Sequence, residues 1–163
     1  ELFFKAGGFG DLVNLSSGDD DMLIHKMMKI PGTKVCYNLD KDAVIETNPV
    51  HSWKQLFNQR ARWSSNGTSY ENKFYILLLT LIYTYYIWMF ISPWCVALLD
   101  CPWQWCAFSI LPKVVIDFIF LTIASWKLHC KRRMVAFIPT ELIQIPMIVF
   151  CVPAGMVGAF KWK

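Results

Sequence analysis

The feature that most restricts the fold of this chain is a stretch of 26 residues, residues 74–99, that contains no charged side chain. An α-helix rises about 1.5 Å per residue, so about 20 apolar residues are enough to cross a hydrocarbon core of about 30 Å. The stretch exceeds that length. It therefore predicts a transmembrane helix.

A second apolar segment, residues 105–126, is also long enough to span a membrane, although it contains Lys113 and Asp117. These two residues are four positions apart, so on a helix their side chains can pair, which reduces the cost of burying either charge. Pro112 could interrupt the helix at this point. The Trp-rich residues 100–106 before the segment predict a short interfacial turn.

A third apolar segment, residues 138–160, contains Glu141 and three prolines. The prolines are Pro139, Pro146 and Pro153. Because proline removes a helical hydrogen bond, a kinked transmembrane helix and a re-entrant hairpin both remain open here. The sequence thus predicts two to three transmembrane helices within residues 73–163, at about 74–99, 105–126 and 138–160.

Charged residues are distributed unevenly along the chain, of which 55% is hydrophobic. Residues 1–72 contain 8 Lys/Arg and 9 Asp/Glu, whereas residues 73–163 contain 8 Lys/Arg and only 3 Asp/Glu. The first part is typical of a water-soluble region and the second of a membrane-embedded one. The net charge of +4 therefore gives no reason to expect a nucleic-acid partner.

The cationic sequence KLHCKRR, residues 127–133, follows the second apolar segment. By the positive-inside rule such a loop belongs in the cytosol. Two predicted transmembrane helices separate this loop from residues 1–72. An even number of crossings places residues 1–72 in the cytosol as well. We expect a multi-pass protein of the cell (inner) membrane whose first part is cytosolic.

The chain begins with Glu1, and its first residues contain neither the basic nor the apolar region of a signal peptide. We therefore expect a fragment of a longer protein, with no signal peptide. The six cysteines show no CxxC pair and no zinc-type spacing with histidine. Cys101 and Cys106 could form a disulfide in an oxidising compartment, but free thiols are the favoured interpretation.

Before the apolar segments, GGFG at residues 7–10 breaks any helix and permits a tight turn. Ser17 or Asp19 can then cap a helix. That helix would bury an apolar stripe at Leu23, Ile24, Met27 and Met28. Residues 35–39 and 43–47 are short β-prone runs, which predict a strand pair or two strands of a larger sheet.

Ser52 is a typical N-cap residue for a helix that extends from Trp53 to about Ser65. Apolar residues follow one side of this helix, at Trp53, Leu56, Phe57 and Ala61. Gln59, Arg62 and Trp63 are spaced i, i+3 and i+4, so their side chains share a different face. An apolar face, a cationic remainder and bulky aromatics are typical of a helix that lies in a membrane interface.

The acidic run Asp19, Asp20 and Asp21 is the first candidate for chemistry. Adjacent carboxylates raise one another's pKa by repulsion, and the dipole at a helix N-terminus opposes that shift. Such a carboxylate can be ionised and still be basic enough to accept a proton from a sugar hydroxyl. The plainer interpretation is that the three carboxylates only cap a helix.

The second candidate is the face formed by Gln59, Arg62 and Trp63. A guanidinium and an amide can together hold a diphosphate, since they offer a forked, charge-assisted donor set and a neutral donor. Trp63 offers a flat apolar surface on which a pyranose ring can stack. The alternative is that these side chains only anchor the helix at the membrane interface.

The order GGFG, GDDDML and QRARW, followed by transmembrane segments, resembles the C-terminal half of the inverting, membrane-integrated family 2 glycosyltransferases. These include cellulose, chitin, hyaluronan and poly-N-acetylglucosamine synthases. Asp19, Asp20 and Leu23 match the family's [ED]DxxL pattern. Gln59, Arg62 and Trp63 match its QxxRW signature. The resemblance extends over nearly all of residues 1–100 and is weaker beyond them.

The resemblance implies a fold in which a mixed α/β remnant of a GT-A glycosyltransferase domain is followed by an all-α transmembrane bundle. The chain as a whole would be mostly helical. Residues 1–50 would be the C-terminal part of the cytosolic catalytic domain. Residues 51–72 would form the interface helix with the QxxRW motif, and residues 73–163 the membrane region.

The resemblance also implies roles for individual residues. Asp20 would be the general base that deprotonates the acceptor hydroxyl, and Asp19 would shape that site. The donor would be a nucleotide sugar, a UDP-sugar, whose diphosphate binds Gln59 and Arg62. Trp63 would face a glycan or lipid-linked acceptor. Gly7, Gly8 and Phe9 would form the loop that precedes the base.

The family's nucleotide-binding first half, with the DxD pair that holds a divalent cation, does not occur in these residues. We therefore expect Mg²⁺ or Mn²⁺ in the full-length enzyme with its ligands outside this chain, no metal ligand here, and an inactive isolated fragment. The sugar and the acceptor are not identified by the motifs, and polymerising and single-sugar transfer both remain open.

Two other classes of protein remain as alternatives. In a polytopic transporter or channel, Lys113, Asp117 and Glu141 would be functional charges within the membrane. A membrane-anchored interaction module would carry no chemistry at all. The transporter interpretation leaves the acidic run and the QxxRW residues without a role, and for that reason we rank it lower.

Overall fold

The computed structural model describes residues 1–14, 17–45, 47–67, 70 and 72–161. This part of the chain is mostly helical, with six α-helices and no β-strand. The α-helices are α1 (Leu2–Lys5), α2 (Asp19–Met28), α3 (Trp53–Ser64), α4 (Lys73–Leu99), α5 (Trp103–Lys127) and α6 (Phe137–Met156). Short 3-10 helices lie at Gly10–Asn14, Lys41–Ala43 and Lys131–Ala136.

The chain divides into two compact units. The first consists of Glu1–Tyr37, Val50–Leu77 and Cys151–Lys163, and the second of Asn38–Pro49 and Leu78–Phe150. The first unit contains α1, α2, α3 and the last turns of α6. The second contains α5 and most of α4 and α6.

The start of α2 differs from the prediction. Gly18 is the N-cap residue, and no side chain accepts a capping hydrogen bond there, so the expectation that Ser17 or Asp19 caps the helix is wrong. The φ angle of Gly18 is +75°, a conformation that a residue without Cβ adopts readily, and Asp19 is already the first helical residue. The predicted apolar stripe is only partly covered, since Ile24 is 44% and Met28 55% exposed.

The predicted strands at residues 35–39 and 43–47 do not form in the described part of the chain. Residues 35–39 have no regular secondary structure, Lys41–Ala43 is a 3-10 helix, and Glu46 lies outside the described residues. β-Propensity reflects packing on a paired strand, whereas Tyr37 is 90% exposed. The helical majority is therefore confirmed, and the expected α/β character is not seen.

Helix α3 begins as predicted. The Ser52 side-chain oxygen accepts a hydrogen bond from the backbone N–H of Gln55, at 3.2 Å. The side-chain oxygen of Gln55 accepts a second hydrogen bond from the backbone N–H of His51, at 2.9 Å. These bonds satisfy N–H groups at the helix start. Along the apolar side, Ala61 is fully buried whereas Trp53 is 67% exposed.

Three helical segments are long and apolar enough to cross a membrane: Lys73–Leu99, Trp103–Lys127 and Lys131–Met156. The first two agree with the predictions, and Pro112 lies inside α5 without ending it. The interfacial turn is shorter than predicted, because α5 already begins at Trp103. In the third segment α6 is continuous to Met156, so the hairpin alternative does not form.

Buried polar side chains connect the helices within the second unit. The Lys113 ammonium lies 2.9 Å from the Asp117 carboxylate, which confirms the predicted pair. It also binds the Glu141 carboxylate and donates a hydrogen bond to Gln144 Oε1 at 2.9 Å. Gln144 in turn donates to the Tyr86 hydroxyl at 3.1 Å. The Lys113 ammonium of α5 thus binds two side chains of α6. Gln144 of α6 then links to Tyr86 of α4 through a further hydrogen bond.

Lys113 and Glu141 are 7% and 6% exposed. Removing two charges from water is unfavourable unless both are paired and hydrogen-bonded, and this network meets that condition. All six cysteines are free thiols, including Cys101 and Cys106.

Candidate functional site

The first turn of α2 carries the three adjacent carboxylates, Asp19, Asp20 and Asp21, and all three residues are exposed. Asp20 Oδ1 accepts a hydrogen bond from the backbone N–H of Asp21 at 2.9 Å. Unpaired backbone N–H groups and the helix dipole favour negative charge at this end of a helix. The turn is therefore suited to ionised carboxylates that remain accessible to a ligand.

Asp21 differs from its two neighbours because it has a distant partner. The Tyr70 hydroxyl donates a hydrogen bond to Asp21 Oδ2 at 2.7 Å, and His25 Nε2 lies 3.8 Å from Asp21 Oδ1. The His25 ring makes edge contacts with Tyr70 and Tyr75, at centroid distances of 5.9 and 5.5 Å. These four residues connect the acidic turn to the segment that enters α4.

This cluster was not predicted from the sequence. The i, i+4 spacing of Asp21 and His25 was a usable signal for one contact. Tyr70 is 49 residues from Asp21, and no local pattern indicates that they meet.

Contact with Asp21 changes the acidity of Tyr70. The hydrogen bond to the Asp21 carboxylate, then burial, then the negative charge of Asp21 raise the pKa of Tyr70 from 10.0 to about 12. All three favour the neutral phenol, which alone can donate the hydrogen bond. Tyr70 therefore stays a donor to Asp21 throughout the physiological pH range.

Helix α3 carries Gln59, Arg62 and Trp63 at the predicted spacing. Gln59 and Arg62 are partly buried, and Trp63 is 49% exposed. The Arg60 guanidinium lies 4.6 Å from the centre of the Trp63 ring, a cation–π distance. This contact was not predicted from the sequence.

A side-chain contact joins the end of α3 to the loop before α2. The Asn66 amide donates a hydrogen bond to the backbone carbonyl of Ser17. Asn66 follows Trp63 by three residues, and Ser17 precedes Asp19 by two. The structure therefore brings together the ends of the two segments that carry the predicted site residues.

The loop with Gly7, Gly8 and Phe9 also packs near α2. Gly7 and Gly8 have φ angles of +76° and +57°, which only glycine adopts without strain. Lys26 of α2 donates a hydrogen bond to the Gly8 carbonyl at 3.2 Å, and the Phe9 ring lies edge-on to Phe3 with centroids 5.4 Å apart. The loop is thus attached to the helix whose first turn carries the carboxylates.

A metal site would need several ligand side chains grouped around one point. Within residues 1–14, 17–45, 47–67, 70 and 72–161, no three His, Cys, Asp or Glu side chains are grouped so that they could hold a metal ion. The three carboxylates of α2 project from successive positions of one turn, about 100° apart, which does not converge them on one point.

Comparison with known proteins found no match among protein-family models, curated proteins or solved structures.

Proposed function

We propose that this chain is the C-terminal half of an inverting glycosyltransferase of the membrane-integrated family 2 type. The enzyme would transfer a sugar from a nucleotide-sugar donor to a growing polysaccharide or a lipid-linked acceptor at the cytosolic face of the membrane. The observation that carries the proposal is the hydrogen bond from Asn66 to the Ser17 carbonyl. It supports one site because it joins the ends of the acidic and QxxRW segments.

In this proposal Asp20 is the general base. The acceptor hydroxyl oxygen forms a bond to the anomeric carbon of the donor, the bond from that carbon to the diphosphate breaks, and the hydroxyl proton passes to Asp20. The nucleoside diphosphate leaves from the opposite face, so the anomeric configuration inverts. Exposure of Asp20 supports the role, and the Tyr70 contact of Asp21 argues against Asp21 as the base. Asp19 would shape the same turn.

Gln59 and Arg62 would hold the donor diphosphate. Arg62 adds a forked positive charge that stabilises the negative charge developing on the leaving group, and Gln59 adds a neutral donor. A divalent cation, Mg²⁺ or Mn²⁺, would neutralise further charge on the diphosphate, with ligands outside the residues described here. Trp63 would face the acceptor sugar, and the loop of Gly7, Gly8 and Phe9 would precede the base.

The membrane helices support a site at a bilayer surface. Three segments can span a membrane, and the cationic residues 127–133 favour a cytosolic loop between the second and third. With that orientation the N-terminal residues lie in the cytosol, where nucleotide sugars are available.

A transporter is the alternative that one observation favours, since Lys113 and Glu141 are buried between apolar helices. Their mutual pairing, with Asp117 and Gln144 as further partners, accounts for them without a transported substrate. The glycosyltransferase proposal gives a role to the acidic turn and to α3, which the transporter does not.

The proposal is tested with the full-length protein, including all residues upstream of this chain, in membrane vesicles. Vesicles are incubated with radiolabelled nucleotide sugars, one at a time, with Mg²⁺ or Mn²⁺, and vesicles without the protein serve as the blank. We expect one donor to label a glycan or lipid product. Absence of labelled product from every donor, with the protein folded in the vesicles, would contradict the proposal.

Trp63→Ala and Trp53→Ala form a matched pair for the acceptor site, because both tryptophans are exposed on α3. We expect Trp63→Ala to raise the acceptor KM by about tenfold, the loss of one sugar-stacking contact of about 1.4 kcal/mol. Donor binding should change much less. Trp53→Ala should leave the acceptor KM unchanged. Equal effects of the two substitutions would remove the acceptor role of Trp63.

A further inference from the structure

Helix α3 packs closely against the last turns of α6, within the first unit. The Ser64 hydroxyl donates a hydrogen bond to the Cys151 carbonyl at 3.0 Å, and the Cys151 thiol lies 3.7 Å from the Phe57 carbonyl. Ala61 is fully buried and Cys151 is 2% exposed. We call this contact the α3 seat.

Gly155 is the residue of α6 that makes the close approach possible. A Cβ at this position would overlap the Ala61 carbonyl oxygen and lie 2.5 Å from Ser64 Oγ and 3.0 Å from the Ser65 backbone nitrogen. The Ala61 oxygen and Ser65 nitrogen are backbone atoms, so a rotamer change cannot relieve the overlap. Any side chain at position 155 therefore pushes α3 away from α6.

Helical geometry relates the α3 seat to the proposed donor site. At about 100° per residue, Phe57, Ala61 and Ser64 lie within one narrow face of α3. Gln59, Arg62 and Trp63 centre on the opposite face. The contact with α6 thus fixes the rotation of α3 and, with it, the direction of the QxxRW side chains.

We infer that Gly155 is a positioning residue for sugar transfer, acting through the α3 seat to aim Gln59 and Arg62 at the donor diphosphate. The inference rests on the proposed function. Gly155 lies in the last turns of α6, which belong to the same compact unit as α3. A displacement of about 1 Å in groups that position a substrate is enough to reduce catalysis strongly.

The test compares Gly155→Ala with Gly67→Ala in the full-length protein. Gly67 is a matched control, because it follows α3 and, among the described residues, a Cβ there would meet only the Ser64 carbonyl oxygen, at an ordinary 3.4 Å. Two quantities are measured for each variant. One is the kinetics of sugar transfer as a function of donor concentration, and the other reports on the α3 seat without any catalysis.

The second measurement uses Cys151 as a probe of the α3 seat. The other five cysteines are replaced by serine, and the rate at which a membrane-permeant maleimide labels Cys151 is followed in detergent. These five are Cys36, Cys95, Cys101, Cys106 and Cys130. Because Cys151 is buried where it contacts α3, labelling requires that α3 move away.

We expect Gly155→Ala to accelerate Cys151 labelling about tenfold and to raise the donor KM by a similar factor, as expected for overpacking of a close contact. Gly67→Ala should leave both quantities as in the wild type. Unchanged labelling in Gly155→Ala would overturn the α3 seat. Faster labelling with an unchanged donor KM would overturn the positioning role.

A gentler variant covers the case in which Gly155→Ala does not fold. Ser64→Ala removes the hydroxyl that bonds the Cys151 carbonyl, and we expect labelling and donor KM each to rise about threefold, the equivalent of one hydrogen bond. No change in either quantity would overturn the inference. If the wild-type protein transfers no sugar, the proposed function fails and the positioning role fails with it, whereas a failure of the inference alone leaves wild-type transfer intact.

Discussion

Carboxylates occur in two contrasting environments in this protein. In the first turn of α2 they are exposed at a helix N-terminus, where backbone N–H groups favour negative charge without neutralising it. In α5 and α6, Asp117 and Glu141 bind the same Lys113 ammonium, and Glu141 is 6% exposed.

The environment of each carboxylate decides whether it is available for chemistry. A carboxylate between apolar helices must be paired, and the pairing leaves it little capacity to accept another proton or bind a substrate. A carboxylate at an exposed helix terminus keeps that capacity. The contrast therefore favours Asp20 over Asp117 and Glu141 as the group that acts on a substrate.

The largest expected effect concerns the buried pair. Lys113→Met leaves Glu141 buried without its cation, so we expect the free energy of unfolding to fall by about 3–5 kcal/mol. Denaturation of the purified protein in micelles measures this change. Lys127→Met, at the exposed end of the same helix, is the control and should have little effect. Equal stability of the two variants would contradict this contrast, because it would mean that the buried network does not stabilise the packing of the helices.

An intermediate effect concerns the cation of α3. Arg62→Lys keeps the charge but removes the planar fork that we propose holds two diphosphate oxygens, so we expect kcat/KM for the donor to fall about 10- to 100-fold. Steady-state kinetics with the identified donor measure it. Arg60→Lys is the control on the same helix, and its donor kinetics should be unchanged, since Arg60 contacts the Trp63 ring. If Arg60→Lys reduced kcat/KM for the donor more than Arg62→Lys does, Arg60 and not Arg62 would be the residue that binds the diphosphate.

The smallest expected effect concerns Asp21 and Tyr70. The pKa of Tyr70 in the folded state, about 12, lies above its ordinary value of 10.0. The neutral hydrogen-bonded phenol therefore stabilises the fold fully below about pH 10, and this contribution is lost as the pH rises toward about 12.

Asp21→Asn should lower the pKa of Tyr70 toward 10 and reduce stability by only about 1 kcal/mol, since the contact is partly exposed. Ultraviolet difference titration between wild type and variant measures the ionisation. An unchanged titration curve would show that Asp21 is not tied to Tyr70, and Asp21 would then join Asp20 as a candidate base.

Local patterns predicted a large part of the fold. Residues 74–99 were identified as a helix because uncharged length alone restricts them. Ser52 was identified as an N-cap, and Lys113 with Asp117 as a pair, because both depend on spacing within one helix. The strands at residues 35–39 and 43–47 were predicted wrongly, since β-propensity has meaning only where another strand pairs.

Contacts between distant residues could not be predicted. Glu141 is 28 residues from Lys113, and Tyr70 is 49 residues from Asp21. The bond from Asn66 to Ser17 spans 49 residues as well. The motifs indicated which side chains could act, but only the folded chain shows that the ends of their two segments meet. The roles of Asp19, Asp20, Gln59, Arg62 and Trp63 stay predictions.

The most direct test of the account is sugar transfer by Asp20→Asn in the full-length protein, beside Asp42→Asn as an exposed control in the first part of the chain. Sugar transfer per folded molecule is measured together with donor binding. We expect Asp20→Asn to reduce transfer by about 10²- to 10⁴-fold, the contribution of a general base, with donor binding retained. Asp42→Asn should transfer at the wild-type rate. Turnover of Asp20→Asn close to that of the wild type would contradict the account.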